Sequence, residues 1–469
     1  MSTIPQNPDL LKHLLSLLEA HQRVFKQQRI YRRVIALVLG EIMVFSRHTV
    51  TQVLVALGLN EQDWSSWYRV FKQRFQAEPA ARVLLAESLK HVGADDIYVV
   101  AGDGTQTPRS SGRMEGVGWL RNPRTPAFKI GIHRAQRWFN GSWLMPAENG
   151  YSRAMPLRWL PAFTAKSKRK VHEACTEWQA ALEFLSWLRT QFVALGRGQQ
   201  RLLMVADGSY DTLKLWQQLP ADVILMARSA KNRVLYHLPP VVRGRGRPRK
   251  YGDRAATPQQ LWRSRQGWHK TKLTIRGHTR RLQSRVEGPF IRHGAADRPL
   301  FLLIVRGQTY SKHGRRKHRD PVPYLINAVL KDGVWTLPLP PATLIFWAWQ
   351  RWEVEVCHRE LKSNFGLGQK QCWHPISAVA SVQWSAWVYA VLLLAGYRTW
   401  GLCGAPPVPT RWWRGSGRWS LNTLWRAYRA ALWGAHAFRP LWIASPDDWS
   451  KKDSLLQGLH NAVYGSTRS

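Results

Sequence analysis

The sequence predicts an α/β core interrupted by a β-rich insertion, with a helical N-terminal domain before it and a Trp-rich C-terminal tail after it. Three observations predict this. Apolar residues recur at helical spacing over the first 90 or so positions. From Asp96 the pattern changes to short, continuous, β-branched apolar runs of the kind that form buried strands. Between 227 and 340 the alternation of strand and helix signals breaks into short strand-like pieces separated by basic loops. The chain divides accordingly into residues 1–92, 93–226, 227–340, 341–404 and 405–469.

In the first segment Leu10, Leu11, Leu14, Leu15 and Leu18 mark one helix. Val50, Val53, Leu54 and Leu57, after Thr49 and before Gly58, mark a second. Trp67, Tyr68, Phe71 and Phe75 mark a third, with Asn60 and Asp63 as a partial capping pattern. Helix, glycine turn, helix is compatible with a helix-turn-helix and equally with a plain helical bundle. In the second segment Ile97 to Ala101 reads as a buried strand. Lys129 to Met145 reads as a hairpin turning at Asn140-Gly141, and Val171 to Leu195 as a helix. Leu202 to Ala206 and Val223 to Met226 are two further buried strands. Strand, hairpin, helix, strand, strand is the order of an RNase H-like core, although order alone fits other α/β folds. Lys272 to Ile275 and Leu300 to Val305 are strand-like pieces of the insertion. Helix returns over Pro341 to Asn364, and Ala405-Pro406-Pro407-Val408-Pro409 is a linker.

Composition narrows the partner. Lys and Arg number 69 against 29 Asp and Glu, a net charge of +40. Such an excess repels itself unless an anionic partner shares the surface, and nucleic acid is the first expectation, a membrane surface the weaker one. Residues 225–320 hold 25 Lys and Arg and only 4 Asp and Glu, which concentrates the charge in a dedicated segment. None of the four cysteines, Cys175, Cys357, Cys372 and Cys403, forms a Cys-x-x-Cys pair, which argues against a zinc module and fits a reducing cytoplasm. Met1 to Leu15 lacks the basic-then-apolar order of a signal peptide. Ile376 to Tyr397 is uncharged and long enough to span a bilayer, but its Ser377, Ser381, Gln383 and Ser385 suit a helix packed inside the protein. The expectation is no membrane.

Two buried-strand signals end in the same way, in Asp103-Gly104 and in Asp207-Gly208. A carboxylate at a strand end is held rigidly, and a small residue after it leaves room for a metal or substrate. Paired carboxylates on adjacent strands suit magnesium, a hard cation that takes few protein oxygens and completes its shell with substrate phosphate. Taken singly, either Asp-Gly reads as an ordinary turn. Arg351, Glu355, Arg359 and Lys362 follow at i, i+4, i+8 and i+11 on one helical face. Glu355 would supply a third carboxylate while the cations meet phosphates. On spacing alone, a solvated face of Arg–Glu pairs fits as well.

Together these motifs resemble the DDE transposases of bacterial insertion sequences. Asp103-Gly104-Thr105 resembles their first catalytic aspartate and Asp207-Gly208-Ser209-Tyr210 their second. Arg351 to Glu355 followed by Lys362 is similar to their Tyr-x2-Arg-x3-Glu-x6-Lys signature, with a β-rich insertion between the second aspartate and the glutamate. The signature tyrosine falls at Ala348, flanked by Trp347 and Trp349. The resemblance covers about residues 95–400. It implies that Asp103, Asp207 and Glu355 are catalytic and hold two Mg2+ ions (Mn2+ as substitute) that clamp the scissile phosphate, and that Arg351 and Lys362 meet DNA. It implies cleavage of element ends and transfer of 3′-OH ends to target DNA by a homodimer in a synaptic complex, in a bacterial cytoplasm at the nucleoid. A non-catalytic relative that only binds DNA and another RNase H-like nuclease are the alternatives.

Arg243-Gly244-Arg245-Gly246-Arg247-Pro248-Arg249-Lys250 resembles an AT-hook, whose arginines enter narrow A·T minor grooves. Arg243, Arg245, Arg247, Arg249 and Lys250 are therefore expected to contact double-stranded DNA, through the groove or as a basic loop on phosphates. The tryptophans suit stacking on unpaired bases or, more simply, core packing.

Overall fold

The computed structural model describes residues 8–123, 125, 128–240, 249–312, 315–406 and 418–434. Five N-terminal helices come first: α1 (Pro8–Ala20), α2 (Gln28–Met43), α3 (Val50–Ala56), α4 (Ser65–Arg69) and α5 (Ala77–Leu89). The predicted spacing works as expected in α1, where Leu10, Leu14, Leu17 and Leu18 are all buried. The Thr49 hydroxyl caps α3 by accepting from the backbone N–H of Gln52 at 3.2 Å. Asp63 accepts from the Ser65 N–H at 2.9 Å, so α4 starts at Ser65, later than Asn60 suggests, and runs on into a π-turn at Val70–Arg74.

The core sheet starts with β1 (Tyr98–Pro108), β2 (Val117–Arg121), β3 (Ile132–Leu144) and β4 (Ala154–Pro161). Then come α6 (Glu177–Ala194), β5 (Leu202–Ala206), α7 (Leu213–Gln218) and β6 (Val223–Arg228). β1, β3 and β4 pair antiparallel, whereas β5 lies parallel to β1 and β6 parallel to β5. The resulting order β4-β3-β1-β5-β6 is that of an RNase H-like core. All five residues of β5 are buried, as its unbroken apolar run predicts for a parallel strand covered on both faces.

The predicted hairpin at Asn140-Gly141 is not formed. β3 runs straight through both residues, pairing Asp103 with Asn140 and Gly102 with Gly141, and only a bulge toward β4 follows. The glycine serves packing: a Cβ on Gly141 would lie 2.6 Å from the Phe184 ring of α6, so its absence lets the helix close on the sheet. Asn140 is fully buried and hydrogen-bonded by its side chain, which removes its usual preference for a turn.

The basic stretch continues the same sheet. It comprises β7 (Tyr236–His237), α8 (Pro258–Arg263), β8 (His269–Ile275), β9 (His278–Arg292), β10 (Ala295–Arg306), β11 (Thr309–Lys312), β12 (Arg315–His318), β13 (Val322–Asn327), β14 (Val329–Lys331) and β15 (Val334–Thr336). β13 adds antiparallel to β6, β10 to β13 and β9 to β10, so 11 of the described strands form one sheet, while β11/β12 and β14/β15 stand apart as two-stranded pairs. The last described elements are α9 (Pro341–Gln350), α10 (Trp352–Ser363), α11 (Pro375–Trp400) and α12 (Leu421–Gly434).

α11 has the length and apolarity of a membrane span, but 94% of its most apolar window is buried inside the protein. Its polar residues have partners there: Gln383 donates to the Trp159 carbonyl at 2.9 Å, and the Ser385 hydroxyl accepts from Lys370 at 3.2 Å. The N-terminal helices pack on this helix, and one hydrophobic core runs from Leu10 to Leu432. Within it Glu41 of α2 lies 2.6 Å from Lys370 Nζ and 2.7 Å from His48 Nδ1. The Trp384 indole donates to it at 3.2 Å. Of the tail tryptophans, Trp419 and Trp425 are buried; Trp412, Trp413, Trp442 and Trp449 lie outside the described residues.

Candidate active site

Strand register brings the first two aspartates together. Gly102 pairs with Ala206 as the last rung of the parallel β1/β5 ladder, so Asp103 and Asp207 stand side by side; Asp207 follows the end of β5 as expected, whereas β1 runs on to Pro108 and Asp103 is mid-strand. Asp103 Oδ1 accepts from the Gly104 N–H at 2.9 Å. Asp207 caps a short 3-10 turn, where its Oδ1 accepts from Ser209 N at 2.8 Å and from the Ser209 hydroxyl at 2.6 Å.

The residues after the aspartates do different work. Gly208 has open space around it, with only the Arg228 carbonyl oxygen 3.5 Å from where a Cβ would sit. The room expected beside Gly104 is already filled: a Cβ there would meet Glu177 Oε1 at 2.2 Å. Glu177 opens α6 and is paired to Arg137 at 2.6 Å.

α10 carries Glu355, which one guanidinium links to Asp103. Arg351, at the joint of α9 and α10, spans two acids: its Nη2 is 2.6 Å from Glu355 Oε1 and its Nη1 3.9 Å from Asp103 Oδ2. Lys362, two turns further along, donates to the Thr105 hydroxyl at 2.6 Å. The other two glutamates of α10 face elsewhere. Glu353 is buried against Arg276 and Arg418, and Glu360 against Arg153 and Tyr389. This follows from helix geometry, since two residues turn the side chain by about 200° and five by about 140° from Glu355's face.

The electrostatics are those of crowded acids. Burial pushes the Asp103 carboxyl up to about 7, with Asp207 and Glu355 adding to the rise and Arg351 opposing it. His358 lies on the same α10 face. Burial, then the charges of Lys362 and Arg351, lower its pKa to about 3, so it is neutral. Its Nδ1 is 3.9 Å from Asp103 Oδ2 and its Nε2 3.1 Å from Asn140 Nδ2. Sequence reasoning missed both residues. His358 sits seven positions after Arg351, on the stripe already drawn through Glu355 and Lys362, and that spacing was the signal for it. Asn140 was hidden by its turn-like dipeptide.

A groove of about 360 Å³ adjoins the site through Arg351. Arg228, Arg276, Arg280, Trp349 and Trp352 line it, and so does Ala348, where the signature tyrosine was expected. The Arg280 guanidinium lies 5.3 Å from the centre of the Trp349 ring. Arg249 and Lys250 are exposed, whereas Arg243, Arg245 and Arg247 lie outside the described residues.

Fold and site together define a nuclease-type α/β core with one carboxylate midway along β1 and a second just past the end of the parallel strand β5. Residues 23–287 match the DDE superfamily endonuclease family, and the chain belongs to that family. Its members generally use divalent metal ions. The match takes in Asp103 and Asp207 and ends before Glu355. Among solved structures, the cryo-EM structure of a piggyBac transposase synaptic complex with hairpin DNA is similar at 10% identity and a TM-score of 0.36, over 97% of this chain and 83% of that chain. A likeness that low carries no argument. No curated protein matches the chain.

Proposed function

We propose that the chain is a DNA transposase that cleaves element ends and transfers the freed 3′-OH ends to target DNA, with Asp103, Asp207 and Glu355 as metal ligands. The observation that carries this is the β1/β5 register, which sets Asp103 beside Asp207, joined to Glu355 through one guanidinium. The chemistry of the donors suits divalent ions: all three groups are carboxylates, and the raised Asp103 pKa marks negative charge that a hard cation would relieve. Among the described residues no three His, Cys, Asp or Glu side chains are close enough to share an ion, and Arg351 contacts both Asp103 and Glu355. Two Mg2+ ions, when bound, would neutralise charge on the scissile phosphate and on the leaving oxygen, with Mn2+ able to substitute.

The chain's own residues account for the rest. The middle of β1 and the end of β5 fix two carboxylates against the sheet. Arg351 and Lys362 offer cations at the same edge for DNA phosphates, and the groove lined by Arg228 and Arg280 continues that track away from the acids. Arg249 and Lys250, with Arg243, Arg245 and Arg247, extend it to flanking double-stranded DNA. Action as a homodimer on paired element ends, at a bacterial nucleoid, belongs to the same reading.

The test is to incubate the protein with candidate element ends, target DNA and Mg2+, and to sequence the products. Joined element–target junctions are expected. Cleavage without joining would favour a plain nuclease, and binding without cleavage a DNA-binding relative. DNA affinity should also fall about 10³- to 10⁵-fold between roughly 50 and 200 mM salt if some 6–10 phosphates are contacted. A flat salt response would sink the electrostatic part of the reading.

A further inference from the structure

We infer that His358 is a positioning residue for Asp103, held by Ser142 and Asn140 in the single tautomer that aims its Nδ1–H at the aspartate. The inference rests on the reading of Asp103 as a metal ligand. Asp103 and Asn140 are direct cross-strand partners on β1 and β3, so their side chains share the sheet face that α10 covers. The Ser142 hydroxyl donates to Asn140 Oδ1 at 3.0 Å, which turns the amide nitrogen toward α10. Two acceptors wait there, His358 Nε2 at 3.1 Å and Cys357 Sγ at 4.0 Å. An amide nitrogen only donates, so Nε2 must accept and the ring proton must sit on Nδ1.

The ring orientation is fixed as firmly as its tautomer. His358 packs edge-on against Trp159, ring centres 5.5 Å apart, and Asn140 and Ser142 are fully buried, so water does not compete for them. At 3.9 Å from Asp103 Oδ2 the Nδ1–H is too far for a direct hydrogen bond; it acts as an oriented dipole that tightens as the carboxylate shifts toward it. Oδ1 is tied to the Gly104 N–H, so the two contacts together define the plane of the carboxylate. The opposite tautomer would turn a nitrogen lone pair on a carboxylate oxygen and push it away. Partners of this kind, one step behind a metal ligand, typically change metal affinity about 10- to 100-fold when removed.

The experiment uses the full chain labelled with [15N]histidine. Two-bond 1H–15N correlation spectra should show His358 protonated at Nδ1, with its signal identified by its loss in His358→Asn. In Asn140→Asp the carboxylate can only accept, so the proton should move to Nε2. Mn2+ binding followed by electron paramagnetic resonance should weaken about 10- to 100-fold in His358→Phe. His358→Asn should recover most of that loss, because its amide N–H falls near the Nδ1 position. Melting curves report that each variant is folded. A wild-type ring protonated at Nε2 overturns the inference, as does a folded His358→Phe protein that binds Mn2+ like wild type. Wild-type protein that binds no Mn2+ would instead overturn the metal reading, and the tautomer with its reversal in Asn140→Asp would then decide the positioning chain.

Discussion

Glu41 and Asp103 are both acids sunk into the same protein, and they shift in opposite directions. Burial raises Glu41 too, but Lys370 at 2.6 Å and His48 at 2.7 Å outweigh it and hold the carboxyl below its ordinary range. Asp103 has no such partner. Its nearest cation is 3.9 Å away and shared with Glu355, while Asp207 and Glu355 add repulsion to the cost of burial. The first cluster is complete without a ligand and ties α2 to the loop before α11. The second is left short of positive charge, which disfavours the fold and favours a cation. A site and a structural network can therefore be told apart by whether their buried charges balance.

The largest effect should come from unbalancing the complete cluster. Glu41→Gln leaves Lys370 buried with no counter-charge, since only neutral acceptors, the new amide oxygen and the Ser385 hydroxyl, remain near its Nζ. Removing one partner of a buried pair costs about 3–5 kcal/mol. Denaturant unfolding should show that loss, and Lys370→Met, which strands the glutamate, should lose a similar amount. A loss below about 1 kcal/mol in both would mean that the pair is no more than a surface-strength contact, and the contrast with Asp103 would collapse.

The second effect has the opposite sign. The Asp103 carboxyl titrates at about 7 when folded, against an ordinary value of 3.8. Between those values the folded chain keeps a proton that the unfolded chain has released. The stabilisation is full below the unfolded value and is lost as pH rises through about 7. With roughly 1.4 kcal/mol per unit the ceiling is about 4 kcal/mol, a figure in which the attraction to Arg351 is already counted. In a chelator, Asp103→Asn should flatten the melting profile over pH 4–7 and leave the variant more stable than wild type at pH 8. Mg2+ should then stabilise wild type and not the variant. Parallel pH profiles for the two proteins would show that Asp103 is not strained by its neighbours.

Much of this was legible in the sequence where one local signal decided the outcome. The runs Val99 to Ala101 and Leu202 to Ala206 could only be buried strands, and the register that joins Asp103 to Asp207 follows once they lie side by side. Glu355 was set apart from Glu353 and Glu360 by sharing a helical face with Arg351 and Lys362 and by the signature spacing, and the structure pairs it with Arg351. What failed depended on contacts between distant segments. Asn140-Gly141 has the dipeptide of a turn, yet Phe184, more than 40 residues on, needs the glycine in a strand. Gly104 promised room for a ligand, and Glu177 of α6 fills it. The segment 227–340 is β-rich, as its short strand-like pieces suggested, but that β13 would dock on β6 and prolong the sheet is a pairing no single strand encodes.

The smallest stability change should fall on the residue that matters most for the proposed chemistry. Glu355 is about one-third exposed, at 34%, and has one partner, Arg351 at 2.6 Å. Glu353, two residues earlier, is 3% exposed and held by Arg276 at 2.9 Å and Arg418 at 3.3 Å. The partly exposed Glu355–Arg351 pair contributes about 0–1 kcal/mol. Glu355→Gln should therefore unfold within about 1 kcal/mol of wild type, bind DNA normally, and cleave nothing. Glu353→Gln should do the reverse, losing more stability while the folded fraction still cleaves. Unfolding curves, a DNA-binding titration and a cleavage assay on the same two preparations settle it. If Glu353→Gln is the variant that folds, binds and fails to cleave, the third carboxylate has been placed on the wrong face of α10, and the Arg351 link between Glu355 and Asp103 is only a surface ion pair.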